Sequence, residues 1–207
     1  MSTNPTHKEI TDYFRLNIYE ALSTYTGWKM IFLSKSKRVV SNEMAERYVE
    51  IQRYHPDFFT LVERAFLVDF VLFILHSFDK REDSFSLYKV SEKETDDFVK
   101  NNDAIISKLK KLRNKVFAHK DIYTNASEYE IPSVIDLDKF FDDLIIFYNK
   151  LTSGVDDSST CFSNAKEIKR HIELLFMNLY RGEAVRKREI DIKWKWEEDG
   201  NKASDIL

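Results

Sequence analysis

Only four glycines and three prolines interrupt the 207 residues, so the chain offers few of the turns and corners that sheets and barrels require. Between those rare breaks, apolar residues recur three and four positions apart, the period of a helix buried along one stripe. The pattern predicts an all-α, up-and-down helical bundle with an N-terminal helical hairpin. It divides the chain into one helical domain over 1–180 and a short extension over 181–207.

Individual segments sharpen this. Thr6 and Glu9 have capping-box spacing and open a helix running to about Leu33, with Ile10, Phe14, Ile18, Leu22 and Tyr25 as its buried stripe. Ser41 caps a shorter helix that His55-Pro56 ends, because a residue before proline avoids the helical region. From Asp57 to Phe78 the sequence is apolar nearly all round, which predicts a helix at the centre of the bundle. Ser91 and Glu94 repeat the capping-box spacing and start a helix to about Ala118. Asp136 caps another, and Ser163 caps a last one ending near Tyr180. In the extension, Ile190, Ile192, Trp194 and Trp196 alternate with charged residues, a period of two that predicts one or two short strands or an arm against a second subunit.

Composition narrows the setting. Net charge is −3 and the sequence pI is about 6.0, so an anionic partner must be met by a local patch rather than by bulk charge. One cysteine, Cys161, precludes an intramolecular disulfide, lacks basic neighbours and reads as an unreactive thiol. The N-terminus has no apolar core of the signal-peptide kind, and Ala65 to Leu75 is too short to span a bilayer and carries Asp69. A cytoplasmic protein without membrane contact is expected.

The phrase KLKKLRNKVFAHKD is the densest chemistry in the chain. Lys108, Lys110, Lys111, Arg113 and Lys115 lie within two helical turns, with Asn114 and His119 in the same run and Lys120 just beyond. Taken alone, such lysines more often form a solvated helix face; the arginine, asparagine and histidine point instead to a phosphate-binding surface. On an ideal helix Arg113 and His119 are separated by roughly 240° and about 9 Å, so they do not converge while the helix stays regular. Either the helix distorts or a second copy of the chain completes the site.

Arg113-Asn114-Lys115-Val116-Phe117-Ala118-His119 resembles the signature of HEPN domains, an arginine, a polar neighbour and a histidine a few residues on. The fuller LRNKVFAHKD, after the apolar helix ending in LHSFDKREDSFSL, is most similar to the Abi-U branch associated with bacterial abortive infection. The resemblance is closest over 57–151. It implies a HEPN-like bundle and a metal-independent endoribonuclease that acts as a homodimer in a toxin or phage-defence role. RNA is then the substrate, an antitoxin protein a partner, and no cofactor is called for. It also implies catalytic roles for Arg113, Asn114 and His119. Histidine titrates near neutrality and can move the proton of a ribose 2′-hydroxyl or of the leaving oxygen. Arginine can clamp the phosphate. Lys110, Lys111, Lys115 and Lys120 are the candidates for holding the RNA backbone. The alternative is a non-catalytic HEPN-like module that dimerises and binds RNA, nucleotide or a partner protein.

Asp69 interrupts the apolar helix. A buried carboxylate there needs a partner, either His76 seven residues on or, as a positioning group, Arg113 or His119. His7 and His55 stand at an N-terminus and a turn without chemical company, and Glu167 with His171 reads as an exposed helix pair. No phosphate-binding glycine loop, dinucleotide fingerprint or serine-hydrolase elbow is found.

Overall fold

Thr6 and Glu9 form the box their spacing predicts: the Thr6 amide donates to Glu9 Oε2 at 2.7 Å and the Glu9 amide to Thr6 Oγ1 at 3.2 Å. From there α1 runs over His7–Leu33. The computed structural model describes residues 5–38, 40–114 and 130–204, with side chains as far as 190. Six further α-helices follow among these residues: α2 (Asn42–Tyr54), α3 (Pro56–Ser77), α4 (Glu92–Asn101), α5 (Asp103–Leu112), α6 (Val134–Asp156) and α7 (Ile168–Ser204). Ser41 caps α2 by accepting from the Met44 amide. Ser133, three residues ahead of the expected Asp136, caps α6 by accepting from the Asp136 amide at 3.1 Å. None of the described helices is long and apolar enough to cross a membrane.

The chain divides into two compact units. The first comprises Met1–Lys29 and Leu61–Ile168 and holds most of α1 and α3 with α4, α5 and α6. Its core is aromatic. Tyr25 stacks on Phe141 with centroids 4.6 Å apart, and Phe70 meets Tyr25 edge-on. Phe98 stacks between Phe78 and Phe147. Such pairs add about 0.5–1.5 kcal/mol each beyond the area they bury. Gly27 lets α1 approach α3 closely, since a Cβ there would lie 2.8 Å from the Phe66 ring. The Tyr25 hydroxyl donates to Asp138 Oδ1 at 2.8 Å, and Lys29 grips the same carboxylate at 2.6 Å.

The second unit comprises Met30–Thr60 and Lys169–Leu207. Tyr48 and Phe59 both pack on Phe176, and Ile51 and Ile172 complete a small apolar cluster. Polar contacts take a larger share here. Buried Gln52 donates to Ser34 Oγ at 2.8 Å, and Glu183, also buried, accepts from Arg186 at 2.7 Å with His55 Nε2 at 3.2 Å. His55 therefore has a carboxylate partner that its sequence neighbourhood did not suggest.

Four expectations are corrected. The helix expected from Ser91 to Ala118 is two helices over its described part, which ends at residue 114. Asn102 ends α4 and its side-chain amide donates to Phe98 O at 3.1 Å, taking up a backbone acceptor and letting the chain restart as α5. Ser91 makes no side-chain cap. The apolar α3 is not covered on all sides. Phe70, Val71, Ile74, Leu75 and Phe78 form its buried stripe, whereas Leu61 and Leu72 are 66% and 43% exposed. A helix at the edge of a layer can bury only the stripe that meets its neighbours. Finally, residues 190–196 are helical, part of the unbroken α7, not strands. A lone strand leaves its amides and carbonyls unpaired, whereas a helix satisfies them internally, and Glu189/Lys193 and Asp191/Lys195 are spaced to support one.

Candidate active site

The orientation of the basic helix is set by its apolar residues. Ile106, Leu109 and Leu112 of α5 are fully buried, which locks the helix about its axis and turns Lys110 and Lys111 outward. Neither lysine has a carboxylate partner among the described residues. Lys108 is different: its ammonium lies 3.1 Å from Glu130 Oε2, 22 residues on in the sequence.

At Arg113 the dihedrals stay helical (φ −55°, ψ −52°) while the hydrogen-bond pattern of α5 changes. The Arg113 amide is shared between Leu109 O and Lys110 O, and Arg113 and Asn114 lie in a wider, π-type turn. Such turns widen the spiral, so the separation of roughly 240° between Arg113 and His119 on an ideal helix does not carry past this point. Arg113 is half-buried and Asn114 exposed. Arg113 Nε donates to Asn114 Oδ1 at 3.0 Å. That bond occupies one edge of the guanidinium and reduces its rotational freedom, while the terminal nitrogens keep the paired-donor geometry that suits a phosphate. No carboxylate pairs with Arg113 among the described residues. Lys115, His119 and Lys120 lie outside the described residues.

Beside Lys110 runs a cleft of about 650 Å³ whose walls include Phe78, Lys80, Tyr88, Asp96 and Lys100. Lys80 sits 4.6 Å from the Tyr88 ring centroid and 2.8 Å from Asp96 Oδ1. That ammonium, with help from the Tyr88 hydroxyl, holds the Asp96 carboxyl below its usual range. Lys80, Tyr88 and Lys100 were not singled out in the sequence, because ten to thirty residues separate them from Lys110 and only the packing of α4 against α5 and of the 78–91 connection against α4 gathers them.

The burial expected of Asp69 is corrected, while His119, one of its expected partners, lies outside the described residues. Asp69 is exposed on the uncovered face of α3, and no hydrogen bond or ion pair holds it among the described residues. His76 packs instead edge-on against Tyr13 and Phe14. The carboxylate keeps its hydration by facing water, so it needs no partner and leaves Arg113 to Asn114. Among the described residues, no group of three or more His, Cys, Asp or Glu side chains is placed to hold a metal ion.

No curated protein and no solved structure matches this chain. The family model for AbiU2-type HEPN proteins, HEPN_AbiU2, matches residues 5–176, which takes in every described helix up to the first quarter of α7. An all-helical bundle that presents an arginine and an asparagine on a distorted turn at the end of a basic helix is in keeping with that match, and the chain belongs to the HEPN_AbiU2 family.

Proposed function

We propose that this protein is a metal-independent endoribonuclease of the abortive-infection kind, acting as a homodimer whose two motif segments share one cleft. The observation that carries the reading is Arg113: half-buried, steered by Asn114, without a carboxylate partner among the described residues, and placed where the helix widens. A guanidinium held in that way is suited to an anion supplied from outside the chain. Lys110 and Lys111 extend the positive surface along α5 for the flanking phosphates, with Lys115 and Lys120 in the adjoining sequence.

In this mechanism the ribose 2′-oxygen attacks the adjacent phosphorus and the bond to the 5′-oxygen breaks. The products are a 2′,3′-cyclic phosphate and a 5′-hydroxyl. The His119 imidazole of one copy takes the 2′-hydroxyl proton, and the protonated His119 of the other supplies one to the departing 5′-oxygen. Arg113 stabilises the charge that builds on the non-bridging oxygens. An antitoxin protein covering this surface would silence it in the cell.

Cleavage of a labelled oligoribonucleotide in chelator tests the reading. His119→Ala should lower the rate by about 10²–10⁴-fold and Arg113→Ala by a comparable factor, while the dimer stays intact. A 2′-deoxy sugar at the scissile position should block the cut. Binding of RNA without turnover, with both substitutions changing affinity alone, would mark the protein as a non-catalytic binding module.

A further inference from the structure

α2 carries a hydrogen-bond acceptor that the described chain does not use. Gln52 is 7% exposed, and its Nε2 donates to Ser34 Oγ at 2.8 Å. Ser34 gives its own hydroxyl hydrogen to Ile31 O at 2.6 Å, so towards Gln52 its oxygen can only accept. That fixes which way the Gln52 amide faces. Its Oε1 is turned from Ser34, shielded from solvent and without a donor among the described residues. A buried acceptor left in this state costs about 1–3 kcal/mol, so it calls for a partner.

Gln52 lines a cleft of about 310 Å³. Val49, Pro56 and Phe59 give the cleft apolar walls, and Phe59 is held in place by its stack on Phe176, with centroids 5.1 Å apart. Arg53 lines it as well. It is exposed, and no carboxylate pairs with it among the described residues, whereas Lys37 is bound to Glu46 and Lys187 to Glu50. A second cleft of about 600 Å³ shares Val49 and Arg53 with the first and continues past Tyr54.

The two polar groups select the ligand. Gln52 and Arg53 are consecutive, so the N–H that completes one and the anion that pairs with the other lie only a few atoms apart. A nucleotide holds its base amine and its phosphate at opposite ends of a sugar. In an acylated amino acid the N–H and the carboxylate flank a single carbon, and the side chain on that carbon has apolar walls to meet. Arginine takes such a carboxylate in a two-pronged contact.

We propose that this cleft binds the C-terminal residue of a peptide. The residue's amide N–H donates to Gln52 Oε1, its carboxylate pairs with Arg53, and its apolar side chain lies against Val49 and Phe59. The exposed side chains of Arg53 and Thr60 swing aside as it enters, and the preceding residues follow the adjoining cleft. The site belongs to the second unit, outside the motif segment, and stands whether or not the protein cuts RNA.

The test uses the full chain and the fluorescence anisotropy of fluorescein-labelled Gly-Ser-Gly-Ala-Leu with a free carboxylate. Saturable binding is expected, and capping the carboxylate as an amide should weaken it at least about tenfold. N-methylation of the leucine amide removes the N–H without touching the protein and should weaken binding about fivefold to tenfold. Arg53→Ala, at an exposed position, should weaken it at least about tenfold. Gln52→Met should erase the difference between the methylated and unmethylated peptides, a result that a purely structural role for Gln52 does not produce. Should that variant fail to fold, the peptide changes and Arg53→Ala decide alone. Unlabelled peptide should compete at least about tenfold better than N-acetyl-leucine, because only the peptide fills the second cleft. Equal competition would overturn the assignment to a chain end. No saturable binding, or binding indifferent to the amide cap and to Arg53→Ala, would overturn the inference.

Discussion

The two units solve the same folding problem with different means. The first, 1–29 with 61–168, carries 18 Lys and Arg against 23 Asp and Glu and is held by a continuous aromatic core. The second, 30–60 with 169–207, carries 14 against 12 and combines a small apolar cluster with buried Gln52 and Glu183. Size explains the contrast. A unit with more chain buries a larger fraction of its surface and can rest mainly on dispersion and hydrophobic burial, with directed bonds such as Tyr148 to Thr11 O added to it. The smaller unit closes its structure with directed contacts around Glu183 and Ser34, each of which fails if one partner is lost.

The comparison breaks most sharply at Phe141. Phe141→Ala removes a ring stacked on Tyr25 at the centre of the first unit and should cost about 3–5 kcal/mol in urea unfolding. A loss below about 1 kcal/mol would mean that the aromatic stack does not carry the unit. Glu183→Ala leaves His55 and Arg186 without their carboxylate and should cost about 1.5–3 kcal/mol. Hydrogen exchange locates that loss: it should rise in α2 and α7 and leave α6 unchanged. Tyr25→Phe deletes only the hydroxyl that donates to Asp138 and should cost about 0.5–1.5 kcal/mol. The smallest effect is in pH. Glu9, Asp79, Asp96 and Asp156, all in the first unit, are held below the usual carboxylate range by bonds from Thr6, Arg81, Lys80 and Lys8 respectively. A depressed folded pKa contributes stability that is present above the unfolded value, near 4, and is lost as pH falls through the folded value. Acid titration from pH 5 to 2, followed by exchange, should therefore loosen the α1 start and the α3–α4 loop before α2. At the alkaline end the sign reverses. Burial pushes Tyr148 up to about 12, so its contribution is kept below pH 10 and lost as pH rises.

Where local chemistry decides, the sequence was a good guide. The Thr6–Glu9 box, the Ser41 cap and the stripe from Ile10 to Tyr25 all form as the spacing dictates, because a cap and a 3.6-residue period are satisfied within a few residues. The all-α bundle followed from the same kind of signal, whereas the HEPN resemblance rested on the residues of the Arg113-to-His119 phrase. Asp69 was misjudged because an apolar run announces burial without saying which face is covered, and α3 leaves one face open. The alternating Ile190-to-Trp196 segment was misjudged because period-two spacing is a tendency of side chains, whereas the backbone needs its hydrogen bonds and the helix provides them.

At the site, the residue types of the motif were legible and their arrangement was not. The sequence by itself determined which groups are present: an arginine beside an asparagine, lysines at Lys110 and Lys111, and a histidine six residues on. Only the tertiary structure decided that α5 is rotated with Lys110 and Lys111 outward, that Arg113 sits on a widened turn with Asn114 steering it, and that Lys80, Tyr88 and Lys100 line a cleft beside Lys110. The reason is physical. Residue identity fixes donors, acceptors and charge, but direction comes from burying Ile106, Leu109 and Leu112 against the rest of the core, and that packing joins residues far apart in the chain.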